Sequence, residues 1–162
     1  MSATATKGKT TFEQISDTEL RMSRIFNAPR ELVFRVCTDP DAIPNWWGPG
    51  NLTTTVETMD LRVGGKWRFV QQDPKGNVFA FNGEFREVTP PERLVETFEF
   101  EGMPGHVVVD TYIFEDLGDG RTRLTATSKF GSPEDLKGMM QSGMEEGATE
   151  SWDRLAELVE KP

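Results

Sequence analysis

The sequence predicts an α+β fold in which an antiparallel sheet curves around one long C-terminal helix. Met140, Met144, Ala148, Trp152, Leu155 and Val159 recur every three or four residues, so over 142–160 they share one helical face. Glu145, Glu146, Glu150, Asp153, Arg154 and Glu157 fall mostly on the opposite side. Most of the chain before this helix alternates apolar and polar residues, the period of half-buried strands. Tight turns join those strands, which requires antiparallel pairing. A curved sheet around one helix leaves room for a pocket between them.

In order along the chain, residues 1–17 are rich in Thr, Ser and Lys and are expected to form a flexible tail. Residues 18–162 are expected to form one domain. Residues 19–27 read as the first strand, although Leu20, Met22, Ile25 and Phe26 do not alternate cleanly and suggest a bulge. Pro29 opens a helix carrying Leu32, Val33, Val36 and Cys37. Asp39 caps and Pro40 opens a second short helix with Ile43, Trp46 and Trp47, which Gly48-Pro49-Gly50 ends. Adjacent tryptophans are expected to point apart, one into the core and one toward the pocket mouth or a dimer contact.

Six further strands are expected near 52–61, 66–72, 78–88, 93–101, 106–115 and 122–130. Asp73-Pro74-Lys75-Gly76 is a turn in which Pro presets one dihedral and Gly accepts a positive one. Gly83, in mid-strand, is expected to mark a bulge or bend. Ser132-Pro133-Glu134-Asp135 has a capping-box pattern for a short helix before the long one. The glycines at 138, 143 and 147 mark where the helical segment can loosen, and Gly147 where another element can approach closely.

Composition excludes several function classes. The 162 residues carry a net charge of -9, which disfavours nucleic acid and anionic membranes. No apolar run approaches the roughly 20 residues of a membrane span, and no signal peptide is evident, so a cytoplasmic protein is expected. The single Cys, Cys37, precludes an internal disulfide and reads as a core residue. A single His, His106, excludes a histidine-rich metal site within one chain, and no metal or cofactor is expected. Gly64-Gly65-Lys66 leads into Trp67 and reads as a hairpin turn, not a phosphate loop. There is no GxSxG elbow.

The aromatic set is the strongest functional signal, in a chain with 11 Phe and 4 Trp. Trp67, Phe69, Phe79, Phe81, Phe85, Phe98, Phe100, Tyr112 and Phe114 are placed to face the long helix. Met103, Met139, Met140 and Met144 surround its start, and methionine adapts to varied apolar shapes. Glu96 shares a strand face with Leu94, Phe98 and Phe100. His106 and Asp110 share one with Tyr112 and Phe114, against a competing parity that turns Val107, Val109 and Ile113 inward. Inward-facing Glu96, His106 and Asp110 are therefore the catalytic candidates, since a buried carboxyl with a raised pKa serves as an acid or base. The expected ligand contacts are Trp47, Trp67, Phe69, Phe81, Phe85, Glu96, Phe98, His106, Tyr112, Met140, Met144 and Trp152. Arg68 and Arg86 are expected on the solvated outer face.

Six segments in order carry a family resemblance: FNAPRELVF, Trp46-Trp47-Gly48-Pro49, LRVGGKWRF, GEFREVTPPERLVETFEFEGMPGH, FEDLGDGRTRLTATSKF and SGMEEGATESWDRLAEL. Together they span about Arg21 to Val159, and the chain resembles the START-like helix-grip superfamily (SRPBCC). Within it, the chain is similar to the branch related to the C-terminal domain of the heat-shock-chaperone ATPase activator. The resemblance implies a helix-grip fold: seven antiparallel strands gripping the C-terminal helix, two short helices after strand 1, and a deep apolar cavity. Members bind lipids, polyketides, hormones and other hydrophobic small molecules; some are cyclases or aromatases and some are co-chaperones. The family shares a fold far more than a catalytic motif. The large additional N-terminal domain of the eukaryotic co-chaperone is missing from this sequence, so activation of a chaperone ATPase is not the expected role.

The favoured expectation is a non-catalytic protein that binds or sequesters a hydrophobic small molecule, a lipid, polyketide or aromatic natural product. The alternatives are a polyketide cyclase-like enzyme using Glu96, His106 and Asp110, and a co-chaperone-like module with a chaperone partner. A homodimer is compatible with each.

Overall fold

The computed structural model describes residues 3–7 and 9–160, with side chains from residue 9 onward. Nine strands form one antiparallel sheet in the order β1-β2-β3-β9-β8-β7-β6-β5-β4. The strands are β1 (Ala3–Lys7), β2 (Thr10–Gln14), β3 (Glu19–Phe26), β4 (Thr53–Met59), β5 (Lys66–Gln72), β6 (Val78–Thr89), β7 (Arg93–Phe100), β8 (Val108–Gly118) and β9 (Arg121–Lys129). Helix α1 (Arg30–Thr38) and a 3-10 turn (Ile43–Asn45) follow β3; α2 (Pro133–Gln141) and α3 (Met144–Val159) end the chain. This is the expected α+β helix-grip arrangement, with nine strands in place of seven.

The two extra strands come from the segment expected to be a tail. β2 pairs with β3, from Thr11 opposite Ser23 to Gln14 opposite Leu20. Phe12 is its anchor, with 1% of its surface exposed. One buried aromatic in a Thr-rich stretch is enough to order a hairpin against an existing sheet edge, and composition averaged over the segment hides it.

Strand β3 needs no bulge. Its register with β9 runs unbroken from Glu19 opposite Lys129 to Phe26 opposite Thr122. The alternation is clean once Arg24 is counted as an inward residue: Leu20, Arg24 and Phe26 are buried, and Ile25 is 39% exposed. Arg24 is accommodated because its guanidinium stacks over Phe26, 5.2 Å from the ring centre, and pairs with Asp153 on α3.

Curvature comes from irregularities between Val56 and Thr58, between Phe85 and Glu87, and between Asp116 and Gly118. Gly83 is not one of them: it sits in register opposite Trp67. A Cβ there would lie 1.9 Å from the Thr97 carbonyl oxygen and 2.4 Å from Trp67 Nε1. The glycine lets the indole lie flat on the sheet.

The main core joins Phe26, Val33, Phe34, Trp67, Phe85, Phe114, Leu124, Trp152, Leu155 and Val159. Helix α3 thus lies on the concave face, as its apolar stripe requires. Ser132 accepts a hydrogen bond from the Asp135 N–H at 3.1 Å and caps α2. Gly143, at φ +82°, separates α2 from α3. Leu20, Val108, Phe130 and Leu136 form a second, smaller core with Met139, Met140 and Met144 packed against it. No other element approaches Gly147, where an added Cβ would meet nothing within 4 Å.

The glycines therefore divide. In urea denaturation, Gly83→Ala is expected to lose about 1–3 kcal/mol through overpacking. Gly147→Ala, in open space within a helix, is expected to gain about 0.5–1 kcal/mol. Equal behaviour of the two variants would refute this assignment.

Candidate functional site

A cavity of about 110 Å³ lies between the sheet and the helical layer. Helix α1 contributes Cys37 and the segment around the 3-10 turn contributes Ile43, Trp46 and Trp47. The strands add Met59, Trp67, Phe69, Phe85, Leu94, Glu96, Phe98, Asp110, Tyr112, Phe114 and Leu124; α3 adds Trp152. Alternation explains the strand contributions, because every second residue of a strand faces the same side. On β8 the parity that turns Asp110, Tyr112 and Phe114 inward prevails, and Ile113 is 43% exposed.

Both tryptophans of the Trp46-Trp47 pair reach this cavity, against the expectation that they point apart. Trp46 is buried and donates its indole N–H to the Val36 carbonyl at 3.2 Å. Trp47 lies edge-on to Phe69 and Phe81, with ring centres 5.1 and 5.2 Å away. The chain after the 3-10 turn is irregular, so no strand or helix periodicity separates the two directions. Helix α3 fixes the segment: the Ser151 hydroxyl donates to the Trp46 carbonyl at 3.0 Å and accepts from the Gly48 N–H at 3.1 Å. Arg154 donates to the Gly48 carbonyl at 3.0 Å, and Glu150 accepts from the Gly50 N–H.

The polar groups of the cavity sit on two adjacent strands. Glu96 on β7 is directly opposite Asp110 on β8. The Ser128 hydroxyl donates to Asp110 at 2.6 Å. Among the described residues, the half-buried Glu96 carboxyl and Tyr112 hydroxyl have no hydrogen-bond partner. Burial, and then the Asp110 carboxylate beside it, push the Glu96 carboxyl well above its ordinary range. Burial pushes Asp110 up to about 6, against the opposing pull of the Ser128 hydrogen bond. Burial raises the Tyr112 phenol, and the Asp110 and Glu96 charges raise it further. Cys37 is likewise held as a neutral thiol by burial and by Glu96, which makes it no nucleophile. Burial thus favours the protonated form of both carboxyls, and the charge on either one opposes ionisation of the other.

Residues 27–160 match the family described as Activator of Hsp90 ATPase homolog 1-like protein. The chain belongs to this family. The crystal structure of a Chromobacterium violaceum protein is 29% identical over 89% of this chain and 99% of its own, with a TM-score of 0.78. A solution structure from Arthrobacter aurescens is 26% identical over 99% of this chain and 92% of its own, with a TM-score of 0.84. DynU16, from the dynemicin biosynthetic locus, shares the fold at 22% identity and a TM-score of 0.67, over 90% of this chain and 48% of its own. Comparison with curated protein sequences finds no match.

Within this Activator of Hsp90 ATPase homolog 1-like domain, Trp47, Trp67, Phe69, Phe85, Glu96, Phe98, Tyr112 and Trp152 line the cavity as the sequence suggests, together with Asp110. Four other expectations are corrected. His106 does not reach the cavity: β8 begins at Val108, and in the preceding loop the exposed imidazole Nδ1 lies 2.8 Å from Asp135 Oδ1 on α2. Met140 and Met144 pack on the second core, because the break at Gly143 places them over Leu20, Val108 and Phe130. Phe81 stands behind the wall, stacked between Trp47, Phe98 and Phe100. Arg68 is on the outer face as expected, but it is paired with Glu101 and Glu57 rather than merely solvated. Ser128 and Met59 carried no sequence signal of their own, since only strand register brings them to the site. Among the described residues, no group of three His, Cys, Asp or Glu is placed to hold a metal ion.

The carboxyl pair also sets a pH dependence. Both acids bind protons more tightly folded than unfolded, so their stabilising contribution is full below the ordinary carboxylate pKa near 4 and is lost as pH rises through about 6 and beyond. Asp110→Asn keeps an acceptor for Ser128 and removes its own share, on the order of 2–3 kcal/mol. Thermal melts between pH 5 and 8 are expected to show Tm falling with pH in the wild type and falling less in Asp110→Asn. Identical slopes would refute the assignment.

Proposed function

We propose that this protein binds a small hydrophobic molecule bearing one polar group, held in the cavity between sheet and helices. The observation that carries the reading is the pairing of an aromatic enclosure with two half-buried polar groups, Glu96 and Tyr112, that have no hydrogen-bond partner among the described residues. A polar group that lines a cavity without a partner is a contact point for an occupant. Membership of a family built on a helix-grip fold supports the same reading. The volume of about 110 Å³ narrows the ligand to a compact ring or a short branched molecule. A cavity of about 150 Å³ accommodates benzene, and drug-sized ligands fill about 300–1,000 Å³. Of the ligand classes suggested by the sequence, a single-ring aromatic fits as the walls stand; a lipid or an extended polyketide requires them to part.

A cyclase-like reaction is the second reading, favoured by two carboxyl groups, Glu96 and Asp110, opposed on neighbouring strands and both shifted toward the protonated form. It runs on those two groups alone, since His106 is on the surface. One carboxyl would take a proton from carbon while the other donates to the carbonyl oxygen.

Isothermal titration with cyclopentanol, six heavy atoms with one hydroxyl, tests the binding reading. Saturable binding with a Kd of about 1 mM or tighter is expected. Met59→Phe, which extends a half-buried edge-strand residue into the cavity, is expected to weaken it at least about tenfold. Absence of saturable binding of both cyclopentanol and its charged counterpart of the same shape, cyclopentylamine, to the folded wild type would overturn the reading.

A further inference from the structure

The cavity's charge is unbalanced. Two carboxyl groups stand opposite each other on β7 and β8, and no Lys, Arg or His lines the space they face. The titratable groups around the pair are Cys37 from α1 and Tyr112 from β8, both acids, while α3 contributes only Trp152. The remaining close partner, the Ser128 hydroxyl from β9, is neutral. Elsewhere this protein balances its inward charge: Arg24, buried on β3, is met by Asp153. The Glu96–Asp110 pair has no such partner among the described residues.

The walls have the chemistry that suits the missing charge. Trp46, Trp47, Trp67, Phe69, Phe98 and Tyr112 turn aromatic surface toward the same space. Ring faces carry partial negative charge and attract cations, most strongly away from water.

We propose that the cavity takes a small organic cation, a protonated amine on a compact apolar body, with the Glu96–Asp110 pair as its counter-charge and the aromatic rings as its cradle. This rests on the binding reading above and names its ligand class. A neutral ligand of the same shape would leave the two carboxyls without a counter-charge. An ammonium group between them lets both ionise and replaces repulsion by two attractions. Binding therefore releases protons, and amine affinity follows the ionised fraction of the pair. An alkylamine titrates near the lysine value of about 10.4 and stays charged throughout the range that matters.

The test compares cyclopentylamine with cyclopentanol, which share a shape and differ in charge, by isothermal titration on the full chain. At pH 7.5 the amine is expected to bind at least about tenfold more tightly. Its affinity is expected to rise about tenfold from pH 5 to pH 8, as Asp110, which titrates at about 6, gives up its proton. Asp110→Asn should weaken the amine at least about tenfold. Equal or tighter binding of the alcohol by the wild type overturns the cation proposal and leaves the binding reading standing. Amine affinity that is flat between pH 5 and 8 in the wild type overturns it as well, and needs no variant to fold. Failure of both probes to bind overturns both readings.

Discussion

The site depends on how the chain after α1 is held. Residues 46–50 belong to no strand or regular helix, so their backbone groups need partners from elsewhere. Helix α3 supplies them. Ser151 serves both the Trp46 carbonyl and the Gly48 N–H, Arg154 serves the Gly48 carbonyl, and Glu150 the Gly50 N–H. From the other side, Thr54 donates to the Trp47 carbonyl and Gln71 to Thr54. With both ends of the turn fixed, Trp46 and Trp47 become one wall of the cavity instead of collapsing onto the sheet. The polar side of α3 therefore builds the site as much as its apolar stripe does.

Against that wall the sheet sets a less comfortable arrangement. An antiparallel register places Glu96 opposite Asp110. Opposed like charges on neighbouring strands destabilise a sheet, and burial adds to the cost. A core selected only for stability would carry Val or Thr at these positions. The rest of the domain follows ordinary rules: Arg24 finds Asp153, Arg68 finds Glu101, and Ser132 caps α2. Local departure from rules obeyed elsewhere is characteristic of a functional site. On the reading proposed above, the raised acids are groups held ready for a partner.

Much of this was legible in the sequence. Alternation, β-branched content and turn signals located the seven strands from β3 to β9, with β3 read despite its imperfect alternation, and the 3.6-residue stripe located α3. Leu94, Glu96 and Phe98 followed from alternation alone, and so did Asp110 and Tyr112 once a parity was chosen. What escaped depended on where an element begins or on what lies opposite. His106 continues the inward parity of β8 on paper, but β8 starts two residues later and the ring turns to Asp135. Met140 continues the stripe of α3 on paper, but the left-handed Gly143 breaks it, and Met144, the first residue of α3, packs with Met140 on the second core. Arg24 looked like an interruption of β3 because its partner, Asp153, is 129 residues away. Phe12 was hidden because a single anchoring residue barely changes the composition of its segment.

The chain has four tryptophans, one tyrosine and one cysteine, and all six line the same cavity. The near-ultraviolet absorption and emission of those rings therefore originate around one small space. An unfolding curve followed by fluorescence would report the dissolution of that space and be largely blind to the β1–β2 hairpin or to the methionine cluster under α2. The single thiol is a chemical probe of the same place, reactive only when the cavity opens. The molecule thus carries an optical reporter and a chemical one, both directed at the part of it most worth observing.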